Sequence, residues 1–426
     1  MKKFIDFMEK YFIPVANKLA GNSYIKSIAE GSMALLSVIM FGAFFTVFKN
    51  IPWEPYQQFL TTTHLGDIIS AVPQFTTEMI GLYMAFSIAY RASHNFKIED
   101  LAFSTGLISL VSFLILVPVN TKLIERASLI DASFLGSKGV FTAIIVALIS
   151  AKLMQLFVNK NITIKMPDGV PPMVLKSFTA LIPVIVIGGL FAIVKVLFAM
   201  TTYNTATEFV YTMLQTPLQS LTGTLPAFLL IILIANLLWF FGIHGSMTVL
   251  PIFMPIMLGY LGENTAAIEA GKIAPHLISF ALYDLANLGG SGATLGLVTV
   301  MFFFAKSERY KSFGKVVFPA GIFGVNEPVI FGMPMMLNVI MFIPFILAPL
   351  IVVSLGYFLM KIGMITPPLG ILGAGSLPPV ISGLSQGSLT FGIYQLVAVF
   401  ISALIYYPFF KVLDNQALKD EASVSE

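Results

Sequence analysis

Long apolar runs separated by short polar links dominate the chain. Eight are nearly free of charge, over residues 31–48, 75–90, 101–119, 139–158, 177–200, 224–243, 338–360 and 389–410. Each approaches the ~20 residues that a helix needs to cross a ~30 Å hydrocarbon core. Spanning strands would instead show ~10-residue segments of alternating polarity, so the pattern predicts an all-α polytopic membrane protein. The stretch "TTYNTATEFVYTMLQTPLQS" (201–220) is too polar to span and reads as an amphipathic connector. It divides the chain into an N-terminal half, 1–220, and a C-terminal half, 221–426.

The second half has a different texture. Glycine and proline crowd "NLGGSGATLG" (287–296) and "ITPPLGILGAGSLPPVISGLSQGS" (365–388). Irregular backbone survives at membrane depth only when buried in protein or lining a wet cavity, as in transporters built from broken helices. The expectation is about ten transmembrane helices plus two re-entrant hairpins in this half. The number of crossings between residues 240 and 305 is not fixed by the pattern. At the N-terminus, Phe4, Phe7, Met8, Tyr11 and Val15 recur at helical spacing opposite Lys3, Asp6 and Lys10. That face suits a helix lying on the membrane or against a partner; charges throughout exclude a secretory signal.

Composition narrows the function. The chain is 57% hydrophobic and 11% charged, against about 25% charged in a soluble domain. A net charge of +3 is too small and scattered for nucleic acid. There is no cysteine, hence no disulfide or thiolate chemistry, and no HExxH or Walker-type loop occurs. No metal and no cofactor is expected. Lys and Arg gather near the N-terminus, at Arg91 and Lys97, along 152–176, along 305–315 and at Lys411 and Lys419. By the positive-inside rule both termini lie in the cytoplasm.

Two isolated titratable groups stand out. No Asp, Glu, Lys or Arg occurs from 209 to 262, where His244 sits in "NLLWFFGIHGSMTV". Glu327, in "GVNEPVIFGMP", is the one acid, base or histidine between Lys315 and Lys361. An intramembrane ionisable residue costs ~3 kcal/mol or more and is a functional candidate by default. The bland alternative is a pair that only holds the bundle together. Pro328 favours a break, from which Asn326 can cap a half-helix beginning at Glu327. Gly242 and Gly245 flank His244 and would let a ligand approach the backbone, and Gly289, in the 287–296 stretch, is a further candidate contact. Trp239, Asn236 and Asn287 add an aromatic face and amides; for Trp239 a place in the interfacial aromatic belt is the alternative. Amides, a carboxylate, a histidine and a tryptophan without Arg or Lys suit a neutral polyhydroxyl ligand such as a sugar.

"GVNEPVIFGMP" together with "WFFGIHG" resembles the sugar-translocating enzyme IIC of the bacterial phosphoenolpyruvate:sugar phosphotransferase system, in its lactose/cellobiose/diacetylchitobiose branch. The resemblance covers essentially the whole chain. It implies a homodimer in the bacterial cytoplasmic membrane, in which the first half, 1–220, supplies the interface and the second half, 221–426, binds one sugar and transports it. It also implies a separate IIB protein that donates a phosphoryl group from a phosphocysteine, itself charged through IIA. The absence of cysteine and the tail ending at Glu426 agree with a separate IIB. By the same resemblance Glu327 is the essential acid beside the sugar 6-hydroxyl, and His244 meets the same end of the sugar. Trp239 contacts the sugar and Asn326 is the neighbouring amide. One departure lies near "GAGSLPP", where related chitobiose-type chains place a second tryptophan around Ser376. Its absence leaves the disaccharide open among cellobiose, lactose, diacetylchitobiose and aryl-β-glucosides, with a β-linked diglucoside such as cellobiose preferred. The competing function is an ion-coupled sugar symporter with Glu327 as coupling carboxylate. A membrane hydrolase would need a nucleophile or metal that the sequence does not offer.

Overall fold

A computed structural model describes Pro14, Lys18 and residues 21–51, 53–120, 129–167, 169–333, 335 and 338–425. The amphipathic face expected before residue 20 lies outside these.

The first part of the chain is helical. It comprises α1 (Ser23–Met33), α2 (Leu36–Lys49), α3 (Glu54–Thr62), α4 (Leu65–Gln74), α5 (Ile80–Asn95), α6 (Ala102–Leu116), α7 (Val140–Asn159) and α8 (Pro172–Ala199). Between α6 and α7 the chain adds a two-residue antiparallel ladder, β1 (Val119–Asn120) on β2 (Leu129–Ile130), with Val119 opposite Ile130. Small residues set the packing. Met84, Ala85, Ile88, Ala89 and Ala92 form the buried stripe of α5. Ser109 of α6 donates to the Ala85 carbonyl, and Ser87 to that of Gly31 at 2.7 Å. Small and hydroxyl-bearing contacts of this kind are what bring helices together where lipid removes the hydrophobic drive.

The predicted connector is helical and tied down. It runs as α9 (Ala206–Val210), one π turn (Tyr211–Gln215) and α10 (Thr216–Thr222), then bends by 78° into α11 (Leu225–Phe240). Its buried polar side chains hold it to both sides. Thr207 donates to the Leu116 carbonyl, Gln215 to that of Ser137, and Gln219 to the Glu263 carboxylate.

The remainder comprises α12 (Gly245–Glu269), α13 (Phe280–Ala286), α14 (Leu295–Phe304), α15 (Glu308–Ile322), α16 (Glu327–Gly332), α17 (Val339–Lys361), α18 (Ile381–Ser385) and α19 (Leu389–Ser425). α14 lies between α15 and α19, and α17 packs on α11, α13 and α19. α12 is the element that also reaches α1 and α2. Among the described residues, six helices are long and apolar enough to cross a membrane, or eight if each of two bent pairs counts as one span. α1–α2, bent by 42°, is the second such pair. α12, a 25-residue helix, is a span that the sequence pattern did not single out. α19 runs 37 residues, ~55 Å at 1.5 Å per residue, well past the predicted limit of residue 410.

Candidate functional site

α11 stops at Phe240 because Gly242 takes a left-handed conformation, φ 83°. The Ile243 N–H then returns to the Leu238 carbonyl at 2.9 Å and that of Gly242 to Trp239 at 3.0 Å, a glycine-dependent helix stop. His244 follows as the N-cap of α12. Its Nδ1 accepts from the Met247 N–H at 3.2 Å. An accepting Nδ1 puts the ring proton on Nε2 in the neutral imidazole. Nε2 lies 4.0 Å from Glu327 Oε1, 83 residues away. The histidine ring is 4.3 Å from that of Trp239, centroid to centroid.

Glu327 opens α16, as the Asn-Glu-Pro break predicts, and its side chain is 50% exposed. It faces a cavity rather than being sealed in an apolar interior. Asn326 stands at the N-cap position but makes no side-chain cap. Its amide crosses instead to the 287–294 turn, donating to the Ser291 carbonyl at 2.8 Å and to Thr294 Oγ1 at 3.2 Å. That turn fits against Asn326 because residue 290 is glycine; a Cβ there would overlap the Asn326 amide. Asn287 closes the network. It donates to the Tyr283 carbonyl at 2.8 Å and accepts from Ser291 at 3.1 Å, and Ser246 lies 3.0 Å from Ser291.

These side chains line one cavity of about 280 Å³, near the lower end of the ~300–1,000 Å³ usual for small-molecule sites. Trp239, His244, Asn287, Asn326 and Glu327 all border it. Three other predicted residues do not. Asn236 is buried within α11 and donates to the Ile232 carbonyl. Gly245 is small because the Ala235 carbonyl presses on it, so its role is the α11–α12 approach and not ligand access. Gly289, at φ 78°, abuts Leu295 and shapes the turn. Trp239 is only 3% exposed, which removes it from an interfacial belt.

The structure adds Tyr283 and Asp284 of α13 and the 373–376 segment to the lining. Gly375 donates its N–H to the Asp284 carboxyl, and a Cβ on Gly375 would strike that group. Trp239 Nε1 and Asp284 Oδ2 are buried without a hydrogen-bond partner among the described residues, and Tyr283 Oη lies beside Ser246 and Asn287. Buried polar groups are ordinarily paired, and the first two point to a ligand rich in hydroxyls. Asp284 had a signal in the sequence: it is the one Asp, Glu, Lys or Arg between Lys272 and Lys306.

An apolar helical bundle around such a polar cavity defines a membrane permease. The chain matches the family model "Phosphotransferase system, EIIC" over residues 29–349. It is 35% identical to the lichenan permease IIC component of Bacillus subtilis, over 99% of this chain and 96% of the relative. It is 33% identical to the cellobiose-specific EIIC component of Geobacillus stearothermophilus, with the same coverage of both chains. The crystal structure of the transporter ChbC, the IIC component of the N,N'-diacetylchitobiose-specific phosphotransferase system, superposes with a TM-score of 0.90 at 33% identity, covering 98% of this chain and 99% of that one. The chain belongs to the phosphotransferase system EIIC family and is an integral plasma-membrane sugar permease.

Proposed function

We propose that the chain carries a β-linked disaccharide, preferably cellobiose or a related diglucoside, and presents its 6-hydroxyl to a phosphorylated IIB protein. The observation that supports this most is the convergence of His244 and Glu327 at 4.0 Å on one cavity lined by Trp239, Asn287 and Asn326. Relatives named for lichenan, cellobiose and diacetylchitobiose support this preference, beside others named for oligo-beta-mannoside, galactose and lactose. The family disfavours ion-coupled symport. These 426 residues include no cysteine, so the phosphocysteine would be supplied by IIB, which IIA would recharge.

Transfer proceeds by attack of the sugar 6-oxygen on the phosphocysteine phosphorus. The new O–P bond forms, the S–P bond breaks, the thiolate leaves on IIB, and the hydroxyl proton passes to Glu327. His244 Nε2–H donates to the same oxygen and fixes its direction. Positioning is the chain's contribution, as in phosphoryl transfers generally. Trp239 Nε1, Tyr283 Oη and Asp284 Oδ2 take the remaining hydroxyls. The product is an anion in a site without Lys or Arg, which drives its release to the cytoplasm.

The architecture proposed around this site has about ten spans, with re-entrant hairpins in the 287–296 and 365–388 stretches and both termini cytoplasmic. Residues 1–220 would form the homodimer interface while 221–426 move the sugar. Glu327→Gln tests the central role. In vesicles supplied with phosphorylated IIB, transfer should fall at least ~100-fold, as expected for loss of a general base, with sugar binding retained. Undiminished transfer would overturn the assignment.

A further inference from the structure

A second cavity, of about 390 Å³, lies in the first part of the chain, on helices that contribute nothing to the sugar site. Its cause is local. Gly31 lets α1 lie tightly on α5, where a Cβ would come 2.6 Å from Ile88 Cα. Three residues later the chain bends by 42°, and α2 packs on α4 instead of continuing along α5. The gap is walled by Leu35 at the bend, by Leu82 and Phe86 of α5, and by Leu110 of α6. Phe86 is braced by stacking on Tyr90 at 6.0 Å and by the edge of Phe103 at 5.9 Å. The slot follows α5 from Tyr83 to Arg91, ~12 Å at 1.5 Å per residue.

Arg91 ends the slot, and its side chain is exposed. It has no ion pair among the described residues. Of the acids on the elements packed against α5, Glu30 is engaged with Lys26 and Asn95, and Asp100 with Lys176, while Glu99 lies on the same turn as Asp100. Lys152, over the Phe96 ring, adds positive charge at the same end of α5.

We propose that this groove binds an anionic phospholipid, with one acyl chain in the slot and the phosphate on Arg91. A guanidinium pairs with phosphate through two parallel N–H donors. Anionic lipid headgroups are drawn to basic residues at the membrane surface. A soluble anion would have no use for the apolar walls, and a neutral lipid none for the cation. Seated there, the lipid fills the wedge that the α1–α2 bend leaves open and stiffens that bend.

The test uses the full chain, purified and reconstituted in nanodiscs. Phosphatidylglycerol and phosphatidylcholine with identical acyl chains are compared by native mass spectrometry and thermal unfolding. Phosphatidylglycerol should be retained at least ~10-fold better and should raise the Tm more. Arg91→Gln should erase the difference between lipids, and Leu35→Trp should block both. Equal retention of the two lipids by the unaltered chain, or an unchanged preference in Arg91→Gln, would overturn the proposal. So would equal stabilisation by inorganic phosphate, which would make the site one for a soluble anion. Efficient disulfide formation between two copies of an Ala34→Cys variant, with no lipid bound, would assign the groove to a second copy instead.

Discussion

His244 holds two positions with one ring: Nδ1 caps α12, and Nε2 faces Glu327. The two roles can be separated by substitution. Asparagine retains a side-chain acceptor for the cap, whereas alanine removes it, at ~1 kcal/mol. Both variants lose the Nε2 donor. His244→Asn and His244→Ala should therefore weaken sugar binding by a similar ~10-fold, about one hydrogen bond, while only alanine lowers the Tm. Calorimetry giving unaltered affinity for the asparagine variant would leave His244 with the cap alone. Gly375 provides a second separation. Its φ is not in the left-handed region, so alanine fits the backbone, but the added methyl meets the Asp284 carboxyl. Gly375→Ala should cost sugar affinity with little loss of expression or folding. Wild-type affinity in that variant would remove Asp284 from the sugar contacts. At this scale the sequence made Glu327 and His244 visible because each is alone in an oily run. Asp284 meets the same criterion, and Tyr283 beside it does not, since a tyrosine in an apolar helix carries no such mark. The cap of Asn326 was misjudged because its better partners, Ser291 and Thr294, come from a turn 35 and 32 residues away.

At the scale of elements, hydropathy located eight apolar segments that are helical, most with ends displaced by a few residues; the first is broken between α1 and α2, and α19 runs on to Ser425. α12 escaped because its last turns carry Glu263, Asn264 and Glu269, which look unfit for a span. Each is compensated by a partner from outside α12. Glu263 pairs with His276, Asn264 bonds the His276 backbone and the Leu369 carbonyl, and Glu269 pairs with Lys49. Periodicity reads the element and cannot see what another element brings to it. The same limit hid why α19 is so long. Its extension past the apolar run places Asp414, 3% exposed, against the start of α15. There Asp414 accepts from the Lys306 and Ser307 N–H groups at 2.8 and 3.0 Å and from Ser307 Oγ at 2.7 Å. Glu421 accepts from the next two N–H groups, of Glu308 and Arg309. α19 thus fixes the start of α15, whose far end leads into the Glu327 break. Asp414→Asn keeps the shape and removes the charge, and should cost ~1.5–3 kcal/mol, the range for a hydrogen bond to a charged group. A thermal midpoint equal to that of the unaltered chain would show that α15 is held by other contacts.

On the scale of the whole molecule, the transport role proposed for residues 221–426 would require contacts with residues 1–220 that can open. Lys49, in the last turn of α2, pairs with Glu269, the last residue of α12 and 220 positions away. The side chains are 24% and 12% exposed, so water screens the pair little. Glu269 Oε1 has no hydrogen-bond partner among the described residues, which leaves that carboxylate dependent on a single cation. Removing one member of a buried pair costs ~3–5 kcal/mol, whereas replacing both by neutral groups of similar shape costs far less. Lys49→Met alone should therefore destabilise the chain strongly, and Lys49→Met with Glu269→Gln should recover part of the loss, since Glu78 also faces both charges and still lacks the lysine. A double-mutant cycle on thermal unfolding reads this as a coupling well above the ~0.5 kcal/mol expected of independent sites. Additive effects would mean that the pair holds nothing together. If the pair also joins surfaces that part during transport, the double variant should translocate sugar at a rate different from the parent. Its binding at equilibrium should change only through the conformational balance, since neither residue touches the cavity. Transport and stability therefore report on the same contact independently, and a strong coupling with unaltered transport would place Lys49 and Glu269 within a unit that moves as one.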